Sequence, residues 1–115
     1  MYSPDTTGGV ARIIVTAVSP GKVTVTHKVK SATNHVVWIV FNATFETANV
    51  CVTNFDAGGV APNITFLPAQ GQGCVAVDSG KTGLISAIVS GDSGVVYTYN
   101  VRVGGAVVID PELEI

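Results

Sequence analysis

Apolar and polar residues alternate along most of this chain with a period of two. Over 22–30, Val23, Val25 and Val29 share one face with His27, while Thr24, Thr26, Lys28 and Lys30 share the other. Over 95–103, Val95, Tyr97, Tyr99, Val101 and Val103 oppose Val96, Thr98, Asn100 and Arg102 in the same way. Such a pattern predicts a strand with one wet side. Val36-Val37-Trp38-Ile39-Val40-Phe41 is apolar on both faces, which predicts a central strand covered on both sides or lying at an interface. Further strands are expected at about 11–18, 50–55, 63–67, 74–77, 84–90 and 106–109.

Turn residues punctuate these runs: Ser19-Pro20-Gly21, Ser31 to Asn34, Asp56-Ala57-Gly58-Gly59, Ala69 to Gly73, Asp78-Ser79-Gly80-Lys81, Gly91-Asp92-Ser93-Gly94 and Gly104-Gly105. About seven to nine short strands with turns every 8–12 residues or so predict an all-β fold, an antiparallel Greek-key β-sandwich, with a closed barrel as the alternative. Gly91 to Gly94 predicts a hairpin joining 84–90 to 95–103, with Tyr97 and Tyr99 facing the core beside Val101. Residues 1–115 form one domain, with a polar lead-in at 1–9 and a tail at 110–115. The only place for a helical turn is Thr44 to Ala48. Gly8-Gly9-Val10-Ala11 recurs as Gly58-Gly59-Val60-Ala61, but the match dissolves beyond isolated positions and reads as coincidence in a Gly- and Val-rich chain.

Composition sharpens the class. There are 21 Val, 8 Ile and 12 Thr against 3 Leu and 1 Met. β-branched side chains are stiff at χ1 and suit a pleated sheet. Charged residues make up 12% of the chain, about half the usual share. The hydrophobic content of 47% excludes intrinsic disorder. The net charge of −2 excludes nucleic-acid binding driven by phosphate contacts. No apolar run reaches the roughly 18 residues of a membrane helix, so no membrane partner is expected.

Met1-Tyr2-Ser3-Pro4-Asp5 lacks a basic region and an apolar stretch, so no signal peptide is read and the default expectation is the cytoplasm. The low-charge surface leans the other way, towards a secreted or cell-surface domain. Cys51 and Cys74 alternate against Val50, Val52, Val75 and Val77, so both are expected to point away from the core. They are expected to be free thiols, because the cytoplasm keeps cysteines reduced.

Candidate chemistry is thin. A blue-copper site needs two His, a Cys thiolate and usually an axial Met. His27 and His35 both precede Cys51, and no His or Met follows Cys74. Zinc spacing is absent. His27 lies on an apolar face and reads as a structural histidine. Gly80-Lys81-Thr82 resembles the end of a phosphate-binding loop, but the required upstream Gly is Val75. His35, Cys51 and Asp56 are the residues on which a hydrolase would have to rest. Asp56, Asp78 and Asp92 stand beside Gly in turns, where turn chemistry explains them, with calcium as the alternative. Asn42-Ala43-Thr44 and Asn63-Ile64-Thr65 match the glycosylation pattern.

Gly94-x-x-Tyr97-x-Tyr99-x-Val101-x-Val103 looks like the last strand of many immunoglobulin-like and cupredoxin-like sandwiches. With Asp110-Pro111-Glu112 added, the chain resembles the DP-EP family of small bacterial proteins. That resemblance implies a β-sandwich, carries no assigned activity and transfers no functional residue. The functional expectation is a non-enzymatic binding or structural module without a cofactor. It would meet a protein partner or an identical subunit through the sheet around Trp38, with His35 and Phe55 on the interaction surface. A carbohydrate-binding module, using Trp38, Tyr2 and Phe55 as sugar platforms, is the runner-up, ahead of a hydrolase.

Overall fold

Every region with strand-like alternation is extended, and the strands sort into two facing sheets in a computed structural model that describes residues 2–3, 8–18, 21–67, 73–104 and 106–115. The strands are β1 (Tyr2–Ser3), β2 (Val10–Val18), β3 (Gly21–Thr26), β4 (Lys28–Lys30), β5 (His35–Asn42), β6 (Ala48–Asp56), β7 (Asn63–Leu67), β8 (Cys74–Val77), β9 (Thr82–Ser90), β10 (Val96–Val103) and β11 (Ala106–Glu114). No helix occurs among the described residues, and Thr44 to Glu46 form bends. The turn residues Ser19 and Pro20, the loop residues Ala69 to Gln72, and Gly105 lie outside the described residues.

One sheet has six strands in the order β1-β3-β2-β5-β9-β7, the other five in the order β4-β11-β10-β6-β8. The fold is the expected all-β sandwich, but its sheets are mixed rather than antiparallel. β1 runs parallel to β3, β2 to β5, and β4 to β11. From β3 to β10 each successive strand joins the opposite sheet. Within-sheet antiparallel hairpins join β2 to β3 and β10 to β11.

This weaving corrects three expectations. The stretch 22–30 is two strands in different sheets. Val25 and Val29 are both fully buried because each faces the shared core from its own sheet. The break has a specific device. As the chain turns away at half-buried His27, the Thr26 hydroxyl accepts a hydrogen bond from the Arg12 N–H at 2.8 Å and lies 3.4 Å from the Arg12 carbonyl. The side chain thus occupies backbone groups of β2 that the departing strand would otherwise pair.

The second correction is that 84–90 and 95–103 do not form a hairpin. β9 pairs with β5 and β7, while β10 pairs with β11 and β6. Gly91 to Gly94 bridges the sheets, and the Gly94 N–H bonds the Ile115 carbonyl at 2.6 Å. Third, 110–115 is not a tail. Residues 110–114 continue β11, with Leu113 fully buried and Ile115 nearly so. The polar lead-in likewise contains the short β1.

The core is the set of inward positions of both sheets, including Ile13, Val25, Val40, Val50, Val89 and Val101. Tyr97 and Tyr99 face it beside Val101, as the alternation predicts. Ala11 sits directly beside Trp38 in the ladder, so the largest side chain of the sheet has the smallest neighbour. Trp38, Phe55, Phe66 and Tyr99 meet between the sheets, Phe55 stacking on Tyr99 with centroids 5.1 Å apart and Trp38 meeting Tyr99 edge-on at 5.8 Å. The Trp38 Nε1–H donates to the Tyr99 hydroxyl at 3.1 Å, which gives the indole its partner inside the core.

Two bulges lie opposite Tyr99, and the one in β6 builds this cluster. Thr98 pairs with Asp56 and Asn100 with Thr53, so β6 carries one extra residue, with Asn54 at φ 59°. The bulge reverses the alternation, and Phe55 turns inward although Cys51 and Thr53 of the same parity do not. Across β10, Thr98 pairs with Glu112 and Asn100 with Ile109, so β11 is bulged at Asp110-Pro111. A bulge tolerates a proline that has no N–H for the ladder.

Candidate functional site

The outer faces of the two sheets differ in chemistry. On the five-stranded sheet, outward positions are mostly polar, among them Asn49, Thr53, Thr98, Asn100, Arg102, Glu112 and Glu114, with Val96 and Val107 between them. Cys51 and Cys74 are direct partners across β6 and β8 and form a disulfide. The expectation of free thiols is therefore wrong, although both residues lie on the outer side of their strands. Which strands become neighbours is a tertiary fact that alternation does not contain. At the edge, Lys28 and Lys30 of β4 both bind the Glu114 carboxylate, at 2.9 and 3.2 Å. Hydrogen bonds from Lys28 first and then Lys30 hold the Glu114 carboxyl below its ordinary value.

On the six-stranded sheet the outer face is apolar. Ile14 of β2, Phe41 of β5, Leu84 and Ile88 of β9 and Leu67 of β7 expose between 39% and 61% of their surface. Half-buried Val37 and Ile39 lie among them. The register makes the patch continuous: Ile14 lies beside Phe41, Ile39 beside Leu84, and Leu67 and Val37 on either side of Ser86. The patch amounts to on the order of 500 Å², the upper end of what a soluble monomer carries as one apolar area.

The expected interaction residues divide between inside and outside. His35 is exposed at the start of β5, within this face, where its Nε2 lies 2.8 Å from the Ser86 Oγ. Trp38 is completely buried on the opposite side of the same strand, and Phe55 is half-buried in the interior aromatic cluster. Neither belongs to an interaction surface, and neither offers a sugar platform. The alternation of β5 could have assigned this: with Trp38 in the core, Val37, Ile39 and Phe41 must point out.

The other candidate residues are occupied by structure. The disulfide leaves Cys51 no thiol for a nucleophile or a copper ligand. Asp56 Oδ1 accepts the Gly59 N–H at 3.0 Å in its own turn, and Asp78 Oδ1 accepts the Thr47 hydroxyl at 3.2 Å. No three His, Cys, Asp or Glu side chains cluster as a ligand set among the described residues. Asn42 is fully buried, and its Nδ2 donates to the carbonyls of Glu46 and Val77 at 2.6 and 2.8 Å, so its amide is not open to a glycan. Asn63 is exposed on edge strand β7. The repeated Gly-Gly-Val-Ala stretches occupy unlike places. A Cβ on Gly9 would lie 2.5 Å from the His35 carbonyl, whereas Gly59 stands in an open turn. No protein family, curated protein or solved structure matches this chain.

Proposed function

We propose that the chain is a non-enzymatic binding or structural module that works through the outer face of its six-stranded sheet. One observation carries the reading. The β5 sequence is that of a strand buried on both sides, yet among the described residues only its Trp38 side is covered. The polar pair inside the patch suits a covered surface, because the His35 Nε2 and the Ser86 Oγ already pair with each other across the strands. The resemblance to the DP-EP sandwiches and to immunoglobulin-like and cupredoxin-like domains concerns the fold and adds no activity to this reading. The disulfide supports an oxidising compartment as the place of work.

The test uses a Leu84→Cys variant. With both native cysteines bridged, the new thiol is the one that a maleimide can label. Slower labelling in the native cellular setting than in dilute purified protein is the expected result. Equal rates in both would overturn the binding role. Ester turnover that disappears in a Ser86→Ala variant would replace it with a hydrolase built on the His35–Ser86 pair.

A further inference from the structure

Resting on that reading, we infer that the apolar face is covered by a second copy of this chain, in a two-fold dimer with the axis parallel to the strands. Area is the first argument. A standard interface takes about 800 Å² from each partner, and homodimer interfaces are about two-thirds apolar. The patch of Ile14, Val37, Ile39, Phe41, Leu67, Leu84 and Ile88 supplies an area of that order. The polar rim then comes from Arg12, Thr24, Thr65 and Thr82, all outward on the same sheet.

Charge and register fix the orientation. Two sheets that meet face to face about a two-fold axis can place that axis across the strands or along them. Arg12 is level with Ile39 on β5, and Ile39 is level with Leu84 on β9. An axis across the strands at that level sets Arg12 against the partner's Arg12, and like charges facing each other are unfavourable. An axis along the strands, between β5 and β9, moves each Arg12 away from the partner's Arg12 to the β7 edge of its sheet, where Asn63 to Leu67 carry no charge. It also seats Ile39 on Leu84 of the partner and Leu84 on Ile39, the reciprocal contact that a two-fold interface requires. Packing at the usual angle of about 30° between sheets keeps this central pair in contact.

The experiment is sedimentation and light scattering of the purified full chain over about a hundredfold dilution, enough to span an ordinary binding isotherm. A monomer–dimer equilibrium is expected, and Leu84→Asp weakens it by about hundredfold because it buries an unpaired charge. Phe45→Ala, which changes a fully exposed ring outside the patch, leaves it unchanged. Ile39→Cys and Leu84→Cys chains mixed under oxidation should cross-link to each other in preference to themselves. A clean monomer throughout, or a dimer indifferent to Leu84→Asp, overturns the inference. If the wild type is monomeric while Leu84→Cys is still protected in the native setting, a different partner covers the face and the binding role stands without the dimer. Self-linking of Leu84→Cys alone overturns the axis.

Discussion

Replacing Asn42 with Ala removes the polar hub at one end of the sandwich. Its Nδ2 donates to the Glu46 and Val77 carbonyls, and its Oδ1 accepts from the Thr44 N–H at 2.9 Å and lies 2.6 Å from the Thr44 hydroxyl. The partners differ in what they lose. The Thr44 hydroxyl also lies 2.9 Å from the Glu46 carbonyl and can serve it once Asn42 is gone. The Val77 carbonyl stays paired with Ala48 in the β6–β8 ladder, so loss of the Nδ2 bond there costs about 0.5–1.5 kcal/mol. The bonds to Thr44 are partly wet and contribute about 0.5–1.5 kcal/mol each. The expected destabilisation is about 3 kcal/mol, a large share of a total stability of about 5–15 kcal/mol. Urea titration followed by Trp38 emission measures it, with a lower midpoint and an unchanged slope. Asn42→Asp tests the direction of the bonds. It sets a carboxylate oxygen against the carbonyls that Nδ2 served, so at neutral pH it should be less stable than Asn42→Ala. It should recover in part as the pH falls and the buried carboxyl takes up a proton. An Asn42→Ala loss under about 0.5 kcal/mol, within the range of an ordinary surface change, would refute the account.

Removing the Cys51–Cys74 bridge, which spans 23 residues, should cost about 3 kcal/mol through the freed unfolded chain and lower Tm by roughly 10 °C in calorimetry. An unchanged Tm in the double Ala variant would count against it. Tyr99→Phe strands the buried Trp38 Nε1–H and should destabilise by about 1–2 kcal/mol; a variant as stable as the parent would show that the bond contributes nothing. For Glu114, the folded carboxyl is held below its unfolded value. The stability it adds is therefore present at neutral pH and fades as pH falls below about 4.3 and through the lower folded value. Glu114→Gln should flatten that part of the stability–pH curve, and an identical curve would exclude the Lys28–Glu114–Lys30 clasp as its source.

What the sequence determined by itself was local. The β-branched excess and the period of two set the class, most strand positions and the inward face of 95–103, because side-chain alternation follows from the geometry of one strand. The turn residues marked where strands end. They did not say where the chain goes next: Asp78 to Lys81 and Gly91 to Gly94 carry hairpin chemistry yet lead from one sheet to the other. Both inner faces share one core, so a strand satisfies the same pattern in either sheet. Only the packed structure chose β10's neighbours and made β6 and β8 adjacent, and that adjacency made Cys51 and Cys74 a disulfide. Parity also failed at the bulge, where one extra residue carried Phe55 inside, a shift visible only in the pairing with β10. The apolar outer face was half legible. The run from Val36 to Phe41 announced two buried sides, but which side the core would take depended on Trp38 meeting Phe55 and Tyr99 across the sheets, and a contact between residues so far apart in sequence exists only once the sheets have packed.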